Sequence, residues 1–219
     1  MTIRHHPEDE LLLQLAAGRL EAGAAIVLAV HAEQCPRCRA RVREFEALGG
    51  ALFEALEPEL LAPTALAETL ARIDAGPRAA AVAPRPPAVR AQLPQGLPWP
   101  RSLAGCAIGP WRRLGPGLRW SRIGAPLDAQ ANIFLLRVTG GRRLPMHSHR
   151  GREMTQVLYG AFDDGRGLFG PGDFDTADDT VQHQPVVQPD RVCDCLASVS
   201  GQVLFDGGQA RIGGALVGM

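Results

Sequence analysis

The sequence predicts a multidomain α+β chain, in which a small helical domain is followed by an antiparallel β-sandwich or barrel. Three observations carry this prediction. Residues 1–75 show helical periodicity only, residues 76–98 are rich in proline, and residues 99–219 contain short strand-like runs between Gly, Pro and Asp clusters. We therefore expect a helical domain at 1–75, a linker at 76–98 and a β-domain at 99–219.

The composition is that of a globular protein, with 46% hydrophobic and 21% charged residues. The 23 basic and 23 acidic residues cancel, so no overall field favours nucleic acid or a membrane as a direct partner. The longest apolar stretch, residues 22–30, is far shorter than the roughly 20 residues that span a bilayer. Residues 1–6 carry no secretory pattern, and we expect a cytoplasmic protein whose paired cysteines bind metal or act in redox chemistry.

Four short helices are expected in the first domain. Residues 7–10 form a good first turn, residues 20–34 repeat apolar positions at helical spacing, Pro36 can open the next helix, and Thr64 can cap a last helix over residues 65–75. Four such helices cannot bury much core, so this domain needs a staple or a partner. The domain is also acidic, with seven Arg against twelve Asp and Glu.

Proline content predicts the linker, and short strand-like runs predict the second domain. Six prolines among Ala and Arg make residues 76–98 a semi-extended tether. Beyond it, residues 133–138, 154–159 and 192–199 have strand character, and no helices intervene. This pattern indicates an antiparallel sandwich or barrel.

The first His/Cys cluster lies in the helical domain. His31 and Cys35 are four residues apart on one helix face, Cys38 follows a proline turn, and His6 precedes the first helix. Two thiols and two imidazoles make the closed tetrahedral set that structural zinc prefers, and zinc would supply the missing staple. The competing interpretation is a redox Cys-x-x-Cys pair, which needs a βαβ setting that this region lacks. Of the adjacent histidines we choose His6 as the ligand and expect His5 to be solvated.

The second cluster lies in the β-domain. His147 and His149 point the same way if they share a strand, Glu153 can return across the following turn, and His183 can come from another strand facing the same cavity. Three imidazoles and one carboxylate suit Zn, Mn, Fe, Ni or Cu, and the ligands alone do not choose among these metals. We expect a divalent transition metal here, with Zn²⁺ the preferred choice.

These two clusters carry a family resemblance. The pattern Gly141-x5-His147-x-His149-x3-Glu153-x6-Gly160 resembles the first cupin motif. The second cupin motif is looser, since Pro171-Gly172-Asp173 is recognisable but His183 lies farther downstream than usual. The first domain, with its His6, His31, Cys35 and Cys38, is similar to the zinc-binding anti-sigma domain. Helical domain, linker and cupin in this order resemble the ChrR family of anti-sigma factors across nearly the whole chain.

The resemblance implies a regulator of transcription that is not an enzyme. Its zinc-stapled helical domain would sequester an extracytoplasmic-function sigma factor, and its cupin would sense oxidative stress such as singlet oxygen and license release. The alternative is a cupin metalloenzyme, of dioxygenase or isomerase type, with a regulatory zinc-binding helical domain. The metal set permits this alternative, although the sequence shows no separate acid–base or nucleophile constellation.

Further residues leave alternatives open. Cys193 and Cys195 lie two apart on an expected strand and hence on one face, where they form either an oxidation sensor near the metal or a pair of small buried hydrophobes. Cys106 is expected to be structural. Residues 11–15 contain more leucines than one buried helix face requires. These leucines therefore belong either to the core or to a partner interface.

Overall fold

The computed structural model describes residues 2–76, 91–93, 97–126 and 128–205. Within these residues, four α-helices are followed by a 3-10 turn and ten strands. The helices are α1 (Asp9–Ala16), α2 (Ala22–Gln34), α3 (Pro36–Glu54) and α4 (Ala65–Ala75), and the 3-10 turn spans Arg101–Leu103. The strands are β1 (Ala107–Ile108), β2 (Arg112–Gly115), β3 (Leu118–Gly124), β4 (Ile133–Val138), β5 (His147–Tyr159), β6 (Phe162–Asp163), β7 (Leu168–Phe169), β8 (Phe174–Ala177), β9 (Val186–Val187) and β10 (Cys193–Phe205).

The helices form where the sequence predicts them. Helix α1 has Asp9 and Glu10 in its first turn, where carboxylates complement the positive end of the helix dipole. Helix α3 begins at Pro36, and the Cys35 side chain caps it by accepting a hydrogen bond from the backbone N–H of Cys38. The leucine cluster of α1 divides, because Leu11 and Leu12 are buried whereas Leu13 is 43% exposed.

The strands build two antiparallel sheets, which confirms the predicted fold class. The larger sheet has the order β1-β3-β4-β10-β5-β8, with β2 paired to β3. The smaller sheet has the order β7-β6-β9. The long strands β5 and β10 pair over most of their length, and this pair forms the centre of the domain.

Strand β5 is longer than the sequence predicts. It runs without a break from His147 to Tyr159, whereas the sequence indicated a strand over residues 154–159 and, before a turn, a separate one with His147 and His149. Glu153 therefore does not return across a turn, as expected, but lies on the same strand as His147 and His149. Its side chain reaches theirs because alternate residues of a strand face the same side.

The helical domain packs directly on the large sheet. Helix α2 lies against β5 and β10, and Gly23 in its first turn approaches Ser198 of β10 so closely that a Cβ would collide with the Ser198 hydroxyl. Buried side chains of α1, α2, β4, β5 and β10 form one continuous core. The small helical domain, which was expected to need a staple or a partner, thus has the large sheet of the β-domain as a partner.

The end of the predicted linker is packed as well. Ala91 and Leu93 are buried, and the backbone N–H of Ala91 donates to the carbonyl of Gly109. The carbonyl of Gln92 accepts hydrogen bonds from Arg137 and Trp111. This differs from the tether that we expected over 76–98, because residues 91–93 belong to the cupin core. Most of that tether, residues 77–90 and 94–96, lies outside the described residues.

Within the described residues, no helix is both long enough and apolar enough to cross a membrane.

Candidate metal centres

The four residues predicted in the helical domain converge. The Nδ1 atom of His6 lies 3.4 Å from the Sγ atoms of both Cys35 and Cys38, and the Nε2 atom of His31 lies 3.3 Å from Cys38 Sγ. Each residue offers one ligand atom to a common centre. His31, Cys35 and Cys38 are buried, and His6 is half-buried. We call this group the helical-domain site.

The spacing of these atoms fits a tetrahedral zinc ion. With Zn–N of about 2.0–2.1 Å and Zn–S of about 2.3 Å, neighbouring ligand atoms of a tetrahedron lie ~3.3–3.8 Å apart. The three N–S distances of 3.3–3.4 Å fall at the lower end of this interval. The cluster is thus able to hold a metal ion, and its donor set is consistent with zinc.

The electrostatics of this site also suit a metal. Burial lowers the pKa of His31 to about 4, so the imidazole stays neutral and free to ligate near neutral pH. Burial, assisted by the charge of Arg37, lowers the pKa of His6. Burial and the neighbouring Cys35 raise the pKa of the Cys38 thiol. A metal would therefore supply the positive charge that deprotonates the thiols.

The four residues predicted in the cupin also converge. The Nε2 atom of His183 lies 3.0 Å from that of His147 and 3.3 Å from that of His149. A Glu153 carboxylate oxygen lies 3.2 Å from the Nε2 atom of His149 and 3.7 Å from that of His147. His147 and His183 face each other because their backbones exchange two hydrogen bonds of 3.0 Å. We call this group the cupin site.

The last glycine of the cupin motif has a role in the backbone geometry. Gly160 closes the strand that carries three of the four residues, and its φ of 73° is a conformation that favours glycine. A Cβ at this position would also collide with the carbonyl of Val192. The motif glycine therefore lets the chain turn tightly at the end of β5.

Hydrogen bonds behind the cupin imidazoles orient them. Nδ1 of His147 donates to the carbonyl of Pro145 at 2.8 Å, and Nδ1 of His183 lies 3.4 Å from an Asp164 carboxylate oxygen. Both rings are thereby turned with Nε2 toward the centre, as metal-bound imidazoles usually are. Nδ1 of His149 is buried without a hydrogen-bond partner. Three imidazoles and a carboxylate around one point fit a divalent transition metal.

Burial and neighbouring charges set the pKa values of the residues at the cupin site. Burial opposes charging of His147, but its hydrogen bond to Glu153 raises the pKa of His147. Burial lowers the pKa of His149, and the three imidazoles lower the pKa of Glu153 against the effect of its own burial. The carboxylate is thus ionised and the site carries the negative charge that a cation needs.

A carboxylate pair that no sequence pattern indicated lies beside this site. Asp164 and Asp175 are buried, and Arg166 forms ion pairs with both. Contacts with His183 and Arg166 outweigh burial and hold the pKa of Asp164 at about 2, whereas burial raises the pKa of Asp175 to about 6. Asp164 and Arg166 are close in the sequence, but only the fold brings Asp164 to His183.

The two candidate redox cysteines lie beside the cupin site. Cys193 and Cys195 point to one side of β10, with their Sγ atoms 3.7 Å apart, and both line a cavity with His147 and Glu153. Both are buried. The hydrogen bond with Cys193, together with burial, raises the pKa of Cys195 far above that of a free thiol.

His5 is not part of the helical-domain site, and it is half-buried where a solvated side chain was expected. Its ring lies 4.3 Å from that of Phe169, and its Nε2 donates to the carbonyl of Leu168 at 3.2 Å. Cys106 is buried in the core, in agreement with its structural role in the sequence analysis.

The fold and its two sites define a class of protein: a cupin with an amino-terminal helical His/Cys domain. Residues 102–203 match the profile of the ChrR Cupin-like domain. The chain is 38% identical over 206 residues to the anti-sigma-E factor ChrR of Cereibacter sphaeroides, with 94% of each chain covered. It also resembles the ChrR chain in the crystal structure of Rhodobacter sphaeroides SigE in complex with the anti-sigma ChrR. That likeness has a TM-score of 0.70 and 37% identity, and covers 91% of this chain and 100% of the other.

The chain belongs to the ChrR family of anti-sigma factors. The relative ChrR is an anti-sigma factor, a regulator and not an enzyme, so the alternative of a cupin metalloenzyme is set aside.

Proposed function

We propose that this protein sequesters an extracytoplasmic-function sigma factor through its helical domain and releases it when the cupin senses oxidative stress such as singlet oxygen. The proposal follows the division of the chain into residues 1–75 for binding and residues 99–219 for sensing, with 76–98 between them. It rests on family membership and on a surface of the helical domain.

An exposed apolar face supports the binding half of this proposal. We define this apolar face by nine large side chains, each more than half exposed: Leu48, Leu52, Phe53, Leu56, Leu60, Leu61, Leu66, Leu70 and Ile73. Helix α4, which carries the last three, has no buried residue. So many exposed large apolar side chains, all within residues 48–73, mark a protein interface. Since the relative ChrR is solved in complex with SigE, we propose a sigma factor as the occupant.

The charge around the apolar face fits such a partner. Glu57 and Glu59 lie in the segment between α3 and α4, and Glu68 lies in α4 itself. All three are exposed. Acidic groups around an apolar centre suit the basic surfaces of a DNA-binding protein, through steering and orientation.

The test is sigma binding by a chain with charges on the apolar face. Leu66→Glu combined with Leu70→Glu should weaken the complex at least tenfold, because two carboxylates would be buried in an apolar interface. The matched control is Leu168→Glu, since Leu168 is 48% exposed on the cupin. Pull-down with the sigma factor of the same host, read beside a promoter reporter, measures the difference. Full sigma binding by the doubly charged chain would refute the proposed face.

We further propose Zn²⁺ at the helical-domain site and a divalent transition metal, preferably Zn²⁺, at the cupin site. A bound zinc ion supplies a fixed positive charge and a cross-link, with no redox chemistry of its own. His6, His31, Cys35 and Cys38 would bind it where α1, α2 and α3 meet. The metal would thus fix the orientation of α3, which carries the first part of the apolar face.

In the cupin the chain's own residues would perform the sensing. His147, His149, Glu153 and His183 would hold the metal at the edge of the cavity that Cys193 and Cys195 also line. An oxidant that enters this cavity meets imidazole rings and thiols, which are the oxidisable groups of the site. We therefore propose the cysteine pair as a second oxidant-sensitive element.

A further inference from the structure

Strand β5 serves both sites at once. Its residues His147, His149 and Glu153 form the cupin site, and Gln156 on the opposite face of the same strand contacts the helical domain. Gln156 is completely buried. The alternation of side chains along a strand produces this division, because residues 153 and 156 differ by an odd number.

The Gln156 side chain is oriented by three hydrogen bonds. Its amide nitrogen donates to the side-chain oxygen of Gln34 and to the carbonyl of Val157, each at 3.3 Å. The amide oxygen is left to accept the N–H of His31 Nδ1 at 2.9 Å. This bond fixes the tautomer of His31 and turns its Nε2 toward Cys38.

The cupin holds His6 from the other side. The backbone N–H groups of Arg4 and His5 donate to one carboxylate oxygen of Asp173, at 2.6 and 3.0 Å. The carbonyl of His5 accepts the backbone N–H of Phe174 at 3.1 Å, and the Phe174 ring packs edge-on against His31. The chain just before His6 and the ring of His31 are thus both in contact with β8 or the turn before it.

We propose that the cupin supplies the supporting hydrogen bonds of the helical-domain metal site, with Gln156 as the positioning residue of His31. Retention of the metal by the helical domain then depends on its contact with the cupin. This inference rests on the proposed metal at the helical-domain site and is independent of the signal that the cupin senses. Removal of a hydrogen-bond partner behind a metal-bound histidine costs roughly tenfold to hundredfold in metal affinity.

The experiment compares metal loss from full-length variants. Gln156→Met keeps the volume of the side chain and removes the acceptor, whereas Gln156→Glu keeps an acceptor for His31. Gln202→Leu, at an exposed position of β10, is the matched control. All variants carry Cys193→Ser and Cys195→Ser, which removes the thiols from the cupin cavity. The probe is Co²⁺, because sulfur-to-cobalt absorption then reports the two thiols of the helical-domain site. A chelator is added and the decay of that absorption is followed.

The expected result is loss of this absorption at least tenfold faster in Gln156→Met than in the parental chain, with the parental rate in Gln202→Leu. Gln156→Glu should lose the absorption more slowly than Gln156→Met, because it keeps the acceptor for His31 although it loses the donor to Gln34 and Val157. A folded Gln156→Met chain with the parental rate and spectrum would overturn the inference. If Gln156→Met does not fold, Gln156→Asn, which is one methylene too short to reach the ring, replaces it with the same expectation. A parental chain without any sulfur-to-cobalt absorption would instead refute the helical-domain metal site itself.

Discussion

Gly23 of helix α2 lies against Ser198 of strand β10 with no room for a side chain between them. A Cβ at this glycine would also lie 3.3 Å from the Ile133 side chain. The close approach brings the backbone of α2 onto the sheet and lets Val27, Leu28 and Val30 bury completely. The docking of the helical domain thus depends on one small residue.

Gly23→Ala should destabilise the chain by about 1–3 kcal/mol, because overpacking outweighs the helix propensity that alanine gains. Gly49→Ala in α3 is the control, since no atom lies within 4 Å of a Cβ there. That change should stabilise the chain by roughly 0.5–1 kcal/mol. Urea unfolding of both variants gives the free energies. Equal effects of the two substitutions would contradict the packing described for α2.

Asp164→Asn should make the metal-free chain less stable at neutral pH. The pKa of Asp164 is about 2 in the folded chain, against about 3.9 in an unfolded one. A lowered pKa stabilises the fold above about pH 4, and this contribution of about 2 kcal/mol is lost as the pH falls toward 2. The Asp164→Asn variant should lack this contribution at neutral pH, and it should also lack the decrease in stability that accompanies protonation of Asp164. Urea unfolding between pH 7 and pH 3 measures the difference, with Asp190→Asn at an exposed ion pair as the control.

His149→Ala and His183→Ala should remove the cupin metal and leave sigma binding unchanged. The apolar face lies on α3 and α4, away from both residues. A signal shifts a complex only through its different interaction with the bound and released states, so loss of the sensor should freeze the bound state. A promoter reporter with and without singlet oxygen, combined with metal analysis, tests this. If singlet oxygen still induces the reporter normally in the metal-free variants, the cupin site is not the sensor. If the reporter is active without singlet oxygen, the cupin helps to hold the sigma factor.

Cys193 and Cys195 should react slowly with a thiol-alkylating reagent in the resting protein. Both are buried, and the raised pKa of Cys195 keeps that thiol protonated, whereas alkylation requires the thiolate. After oxidant exposure, a redox role predicts loss of both free thiols, while Cys106, buried in a separate core cluster, stays reduced. Mass spectrometry of alkylated peptides follows all three. If the sigma factor is released while the thiols of Cys193 and Cys195 stay reduced, the pair only packs the core and is not a redox sensor.

The sequence predicted what depends on local spacing. Helical and alternating periodicity gave the four helices and the strand Ile133–Val138, and the spacing of His147, His149 and Glu153 gave three members of the cupin site. The position of Glu153 on the same strand was missed, because two arginines and a glycine at 150–152 interrupt the apolar alternation along β5.

Contacts between distant segments could not be predicted. Gln156 is 125 residues from His31, and Asp173 is 169 residues from Arg4. No periodicity links such pairs, since their approach is set by the docking of α2 on the sheet. Similarly, nothing in the proline-rich composition of 76–98 indicates that Ala91 and Leu93 enter the core.

The continuous core described above bears on how this architecture can change. Its buried side chains come from both the helices and the cupin sheet, and the imidazole of His31 is held by a glutamine from the other domain. The two halves are therefore not interchangeable parts. A chimera that joins these helices to the cupin of another protein would need a glycine-sized gap at α2, a matching sheet surface and an amide at position 156. Recombination between members of the family should succeed only when these complementary surfaces are inherited together.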